Sequence, residues 1–162
     1  MHLRPATVDD LPAILAIYNH AVEHTTATAD CEAQTLASRA AWFDEHARAG
    51  LAVLVVEEAG QVAGWGSLNP HHPRFGYRFT VENSVYVADS MRRRGVGAQL
   101  LDGLIAAARA RGLHAVLAGI DSQNIASLRL HESRGFQQIG RRREVIRKFD
   151  RWLDVIDLEL LL

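Results

Sequence analysis

Val85-Tyr86-Val87-Ala88-Asp89-Ser90-Met91-Arg92-Arg93-Arg94-Gly95-Val96-Gly97 is the stretch that decides how this chain is read. An apolar run of strand character enters a turn of three arginines and two glycines. A helical pattern follows at once, with Val96, Leu100, Leu101, Leu104, Ile105 and Ala108 on one face, ending near Gly112. The first turn of such a helix leaves N–H groups unpaired and partly positive. Glycines let that backbone close on a phosphate, and the arginines add charge, so the arrangement suits a pyrophosphate. Taken alone, it also fits a solvated basic turn at a helix start. A net charge of −1 lacks the basic excess of nucleic-acid binders. The dinucleotide fingerprint G-x-G-x-x-G and the loop G-x-x-x-x-G-K-[ST] are both missing, which removes dehydrogenase and P-loop readings.

Working outward, residues 2 to 6 read as a short first strand. Thr7 or Asp9 caps a helix bearing Leu11, Ile14, Leu15 and Tyr18, and residues 24 to 34 form a polar loop. Thr35 or Ser38 starts a helix through Trp42, Phe43 and His46, which Gly50 ends. Leu51 to Val56 and Val62 to Leu68 form a hairpin, Asn69 to Gly76, with Pro70 and Pro73, a loop or a strand interruption, and Tyr77 to Val87 a long strand. After the long helix come a strand from His114 to Ile120 and a short helix from Asn124 to Gly135. Two strands close the chain, through Arg147 and from Trp152 to Leu161. The order β-α-α-β-β-β-α-β-α-β-β predicts an α+β fold, a mixed central sheet of about seven strands flanked by about four helices.

With 162 residues, 48% of them apolar and 23% charged, the chain reads as one domain over residues 1–162. Cys31 is the only cysteine, so no intrachain disulfide forms, which fits a reducing cytoplasm. No apolar run nears the roughly 20 residues that cross a bilayer, and MHLRPATVDD has no signal-peptide core. A cytoplasmic protein with no membrane partner is expected.

Arg92-x-x-Gly95-x-Gly97 resembles the acetyl-CoA pyrophosphate motif of the GNAT (GCN5-related) N-acetyltransferases, whose element order also matches. Further blocks resemble the phosphinothricin and methionine sulfone acetyltransferase branch. They are Ile17-Tyr18-Asn19-His20, Thr80 through Val87, Asn124 through Glu132, Gly135-Phe136 and Lys148 through Asp154. The resemblance implies acetyl-CoA as co-substrate, no metal, a homodimer, and direct attack by a small amino acid-like amine in a ternary complex. Methionine sulfone, methionine sulfoximine and phosphinothricin are the acceptors implied. Alternatives are a peptide or protein amino terminus as acceptor, or a non-catalytic acyl-CoA sensor. The chain departs from the branch at Ala29-Asp30-Cys31-Glu32-Ala33-Gln34, where a Phe and a Pro-Pro pair are usual; small residues there open the acceptor pocket.

Acetyl transfer requires a base for the amine, polarisation of the thioester carbonyl, and release of the thiolate. Glu82, on the strand that runs to the turn, is the candidate base, and in a regular strand it shares a face with Ser84 and Tyr86. An exposed surface glutamate is the competing reading. His131 is the second candidate, as acid or base, against a packed histidine bonded to a backbone carbonyl. The resemblance assigns the cofactor to Val85, Tyr86, Val87, Arg92, Arg93, Arg94, Gly95, Val96, Gly97, Ala98 and Asn124. It also implies a bulge near Val85 to Val87 that frees an N–H for the thioester oxygen. Asn124 doubles as a helix cap. Arg74, Phe75, Gly76 and Tyr77 form the implied acceptor loop, in which Arg74 offers a fork for a carboxylate, sulfone or phosphinate. His20 and His24 stand i,i+4 without a third metal ligand, and His71-His72 reads as solvated. Trp42, Trp65 and Trp152 read as core or interface.

Overall fold

The structure, a computed structural model, describes residues 1–162. Strand β1 (His2–Pro5) precedes helices α1 (Leu11–His24) and α2 (Leu36–Ala49) and the hairpin β2 (Val53–Glu58) and β3 (Gln61–Pro70). Then come β4 (Thr80–Val87), α3 (Val96–Ala110), β5 (Ala115–Asp121), α4 (Ile125–Glu132), β6 (Gln137–Lys148) and β7 (Arg151–Leu161). One seven-stranded sheet runs in the order β1-β2-β3-β4-β5-β7-β6, and only β4 and β5 are parallel. The expected α+β fold with a mixed sheet and four helices is the one observed.

The ends of the elements follow local chemistry. Thr35 accepts from the Ser38 N–H to cap α2, and Gly50 closes that helix in the left-handed region. The apolar face read for α3 is the buried one, with Leu100, Leu101 and Leu104 fully enclosed against the sheet. Gly64 lets β3 approach that helix, because a Cβ there would meet Tyr86 O and Val96 Cγ1, each at 2.8 Å. Boundaries shift by a residue or two at β2 and β3, and most at β4: Phe75–Tyr77 form a helical turn and β4 begins at Thr80. Trp65 is core and Trp42 packs beside it, whereas Trp152 is 57% exposed beneath the Arg147 guanidinium.

No bulge interrupts β4. Its pairing with β3 is regular from Pro70↔Val81 to Gly64↔Val87. The sheet opens on the other side. β4 and β5 pair only from Thr80↔Ala115 to Glu82↔Leu117, and beyond that point they part. There the Asn83 side chain donates to Leu117 O at 3.1 Å, so a side-chain amide stands where the ladder would continue.

Candidate active site

The direction of the β4 backbone follows from its ladder. Ala88 N–H donates to Ala63 O, so even-numbered residues of β4 bond β3, and the odd ones face β5. The carbonyl of Phe79 bears this out by accepting from His114 and Ala115. The amides and carbonyls of Val85 and Val87 therefore point into the gap left by β5. An unbulged strand supplies the free N–H for which a bulge was expected.

Below this gap lies a cavity of about 1100 Å³ walled by Val85, Tyr86 and Val87, by the turn from Asp89 to Ala98, and by Asn124. Gly95 is the N-cap of α3 with φ 85°, which aims the first N–H groups of the helix outward. A Cβ on Gly97 would stand 3.3 Å from Leu130, close enough to narrow the groove between α3 and α4. These features fit a diphosphate followed by an extended arm that pairs with the open edge of β4. The three arginines divide. Arg92 and Arg93 line the cavity, with Arg92 held by Asp89 at 2.6 Å. Arg94, expected at the cofactor, instead pairs with Glu58 of β2 at 2.8 Å and is drawn away from the cavity. The Asp89 carboxylate also meets His20 Nε2 at 2.7 Å, which accounts for that histidine without a metal.

A second cavity of about 410 Å³ adjoins the first, with Tyr86, Asp121, Asn124 and Ser127 common to both. Glu82 and His131 lie on its wall, as do Thr28 and Ala29 of the α1–α2 loop. That loop is pinned at several points. Tyr18 Oη donates to Asp30 at 2.7 Å, Lys148 Nζ to Thr28 O at 2.9 Å, and Thr26 Oγ1 to Asp121. Burial lowers the Lys148 pKa. Asn124 caps α4 through Oδ1, which accepts from Ser127 N–H, and leaves its amide nitrogen to the cavity. Both roles read for Asn124 are thus open to it.

Glu82 is half exposed and shares its face of β4 with Ser84 and Tyr86, as the regular strand requires. Its Oε1 meets Nδ1 of His71 at 2.6 Å, so His71 is a partner of the candidate base and not a solvated loop residue. The Tyr77 ring packs 5.4 Å from His71. Arg74, Phe75 and Gly76 are not brought to Glu82: all three are exposed, Phe75 at 77%, and they line neither cavity. The loop from Asn69 to Gly76 thus makes neither a cup nor a groove within one chain.

His131 is 3% exposed and packs edge-on against Phe136. Its Nδ1 lies 2.8 Å from Ser127 O and its Nε2 3.0 Å from Asn83 Oδ1, and both partners are acceptors. With the proton on Nδ1, the Nε2 lone pair faces the Asn83 oxygen; a proton gained at Nε2 turns that opposition into a hydrogen bond. Burial acts the other way and lowers the His131 pKa, opposed by the Ser127 carbonyl. At neutral pH this is a neutral imidazole with a prepared place for one proton.

The acetyltransferase (GNAT) family model matches residues 14–136, about three quarters of the sequence. The chain belongs to the GNAT acetyltransferases. A methionine sulfoximine/methionine sulfone acetyltransferase from Pseudomonas aeruginosa is 49% identical over 159 residues, 98% of this chain and 92% of that protein. A GNAT phosphinothricin acetyltransferase from Sinorhizobium meliloti, solved in complex with acetyl-CoA, superposes with a TM-score of 0.97 at 31% identity. That alignment covers 99% of this chain and 88% of the other. A ribosomal-protein-alanine N-acetyltransferase from Brucella melitensis superposes with a TM-score of 0.98 at 44% identity, covering both chains in full. Within this acetyltransferase, two residues at the candidate site had no such role in the sequence: His71, read there as solvated, now bonded to Glu82, and Asp121, which lines both cavities. His71 was hidden by its loop context and Asp121 by its place at the end of an apolar strand.

Proposed function

We propose that the chain transfers acetyl from acetyl-CoA to the primary amine of a small amino acid-like acceptor, by direct attack in a ternary complex. The observation that carries this reading is the parting of β4 from β5, which joins a phosphate cradle at Arg92–Gly97 to a second cavity walled by Glu82. Acetyl-CoA lies along the open edge of β4, its diphosphate on the first N–H groups of α3 beside Arg92 and Arg93. Glu82, held by His71, takes the proton of the acceptor ammonium directly or through water. The free amine attacks the thioester carbonyl, whose oxygen gains charge against the Val85 N–H. The carbon–sulfur bond then breaks, the nitrogen sheds its extra proton as the amide forms, and the thiolate takes up one proton to leave as the free thiol. His131, with its prepared Nε2 site, is placed to receive a proton at the wall of the same cavity. Near pH 7 it serves better as acceptor than as donor, because burial keeps it neutral.

Methionine sulfone, methionine sulfoximine and phosphinothricin are the first acceptors to try, in line with the names of the relatives. The name of the Brucella protein favours a second reading, a protein amino terminus as acceptor. A cytoplasmic location is part of the proposal; no helix is long and apolar enough to cross a membrane. A homodimer is proposed as well, with exposed Phe75, Tyr77 and Phe79 as apolar surface for a second copy to cover. Following free thiol release from acetyl-CoA with each amino acid, and with an alanine-initiated peptide, tests the assignment. Release with the amino acids alone supports it, release with the peptide alone favours the second reading, and release with none refutes both.

A further inference from the structure

A third cavity, of about 230 Å³, lies between α1, α2 and the face of β3 and β4. Its walls include Tyr18, Arg39, Trp42, Trp65 and Ser84. Arg39 is only 6% exposed, yet its guanidinium lies over aromatic rings, 4.3 Å from the centre of Tyr18 and 4.6 Å from that of Trp42. Its Nε has no protein acceptor, and neither does Nε1 of Trp65, which is 2% exposed. Two enclosed donors without acceptors thus meet at one cavity. Most buried donors are paired, and leaving one unpaired opposes folding. The charge compounds this: burial pushes the arginine pKa down, though not far enough for it to lose its proton. The one carboxylate on the wall, Asp30, is engaged elsewhere, accepting from Tyr18 Oη at 2.7 Å and Gln34 Nε2 at 3.4 Å. Ring faces hold a cation in place but offer its N–H groups no lone pair in their plane.

We infer that this cavity is a recognition subsite for an oxygen-bearing group of the acceptor, a carboxylate or a sulfonyl or phosphinyl end, with Arg39 as the residue that reads it. The inference rests on the acetyl-transfer reading and extends it. Ser84 and Tyr86 wall both this cavity and the one that holds Glu82. A short acceptor can therefore set its amine at Glu82 and its oxygens at Arg39. The exposed Arg74, which the sequence offered for this task, lines none of the three cavities.

The test uses Arg39→Met, which keeps the length and removes the charge, and Arg39→Lys, which keeps the charge and loses the fork. Thiol release is followed with methionine sulfone, methionine and methionine sulfone amide. Arg39→Met is expected to raise KM for methionine sulfone by tenfold or more, the scale of one lost charged hydrogen bond. KM for acetyl-CoA stays within about twofold and Tm does not fall, because an unpaired buried charge has been removed. Arg39→Lys lies between. If the side-chain oxygens are read, the variant ceases to distinguish sulfone from methionine; if the carboxylate is read, it ceases to distinguish acid from amide. Unchanged acceptor KM overturns the inference. So does a parallel rise in both KM values with a Tm loss of more than about 5 °C, the mark of a packing residue. Should wild-type protein turn over none of these amines, the activity reading fails separately. Protection from melting by methionine sulfone then decides the subsite: present in wild type and lost in Arg39→Met it stands, and absent from wild type it falls.

Discussion

The seat of α1 depends on a carboxylate whose contribution changes sharply with acid. Asp10 is 6% exposed and receives both Nη1 and Nη2 of Arg4, at 2.7 and 2.9 Å. Its Oδ2 also accepts from the backbone N–H and hydroxyl of Thr7. The hydrogen bonds from Arg4 lead in holding its pKa down, from 3.8 to about 2. At about 1.4 kcal/mol per unit, allowing for the partly exposed Arg4, the shift contributes about 2 kcal/mol to folding at neutral pH. The folded-state pKa is depressed, so the contribution is complete above about pH 4 and is lost as pH falls toward 2. Helix α1 begins next to Asp10 and carries Ile17, Tyr18 and His20 onto the cavity walls, so this tie bears on the site as well as the fold.

Asp10→Asn keeps the shape and removes the charge. Urea unfolding should show the variant less stable by about 2 kcal/mol at pH 7 and by the same amount at pH 5. By pH 3 the gap should shrink to roughly half, since the unfolded wild-type chain is then largely protonated at Asp10 while the folded one is not. Subtracting the variant removes the titration of every other carboxylate. A gap of equal size at pH 7 and pH 3 would show that Asp10 acts through packing alone, and the ionic account would be refuted.

Glu82→Gln should lower kcat by about 10²-fold or more with KM for acetyl-CoA little changed, whereas near-wild-type turnover would take Glu82 out of the chemistry. Arg93→Ala should raise KM for acetyl-CoA, but Arg94→Ala should leave it within about twofold and lower stability by less than about 1 kcal/mol, because Arg94 is half exposed in its pair with Glu58. Equal effects of the two on KM would contradict the division of the arginines. Leu104→Ala should cost about 2–5 kcal/mol in urea unfolding, since this side chain is fully enclosed in the largest core cluster.

Most of the fold is legible in local signals. The buried face of α3 can be read off its apolar spacing, and Thr35 and Gly50 mark both ends of α2. The bulge is instructive in its absence. A bulge is a local device, but the opening of this sheet is made at a distance, by Asn83 reaching Leu117 O and by His131 of α4 meeting Asn83. No window of sequence around Val85 contains α4. The start of β4 was misplaced for a nearer reason, because Tyr77 and Phe79 carry strand propensity while their backbone turns at Phe75–Tyr77.

The site separates along the same line. The proposed phosphate cradle is legible in sequence, since a helix N-terminus with glycines and arginines is a property of one short segment. Arg94 has the right position in that segment, yet the structure pairs it with Glu58, 36 residues away, which no local window announces. His71 and Glu82 are 11 residues apart and meet only because β3 and β4 pair in register, with Pro70 opposite Val81. Arg39 lay furthest from reach. Its neighbours come from α1, α2, β3 and β4, and what singles it out is a donor without an acceptor, which no residue type announces. Residues that bind through backbone can be found from a motif, whereas residues that read an acceptor are set by which long-range partners the fold withholds. Among these relatives, then, a difference of acceptor should follow replacements around Arg39, Trp65 and His71 while the turn at Gly95 stays as it is.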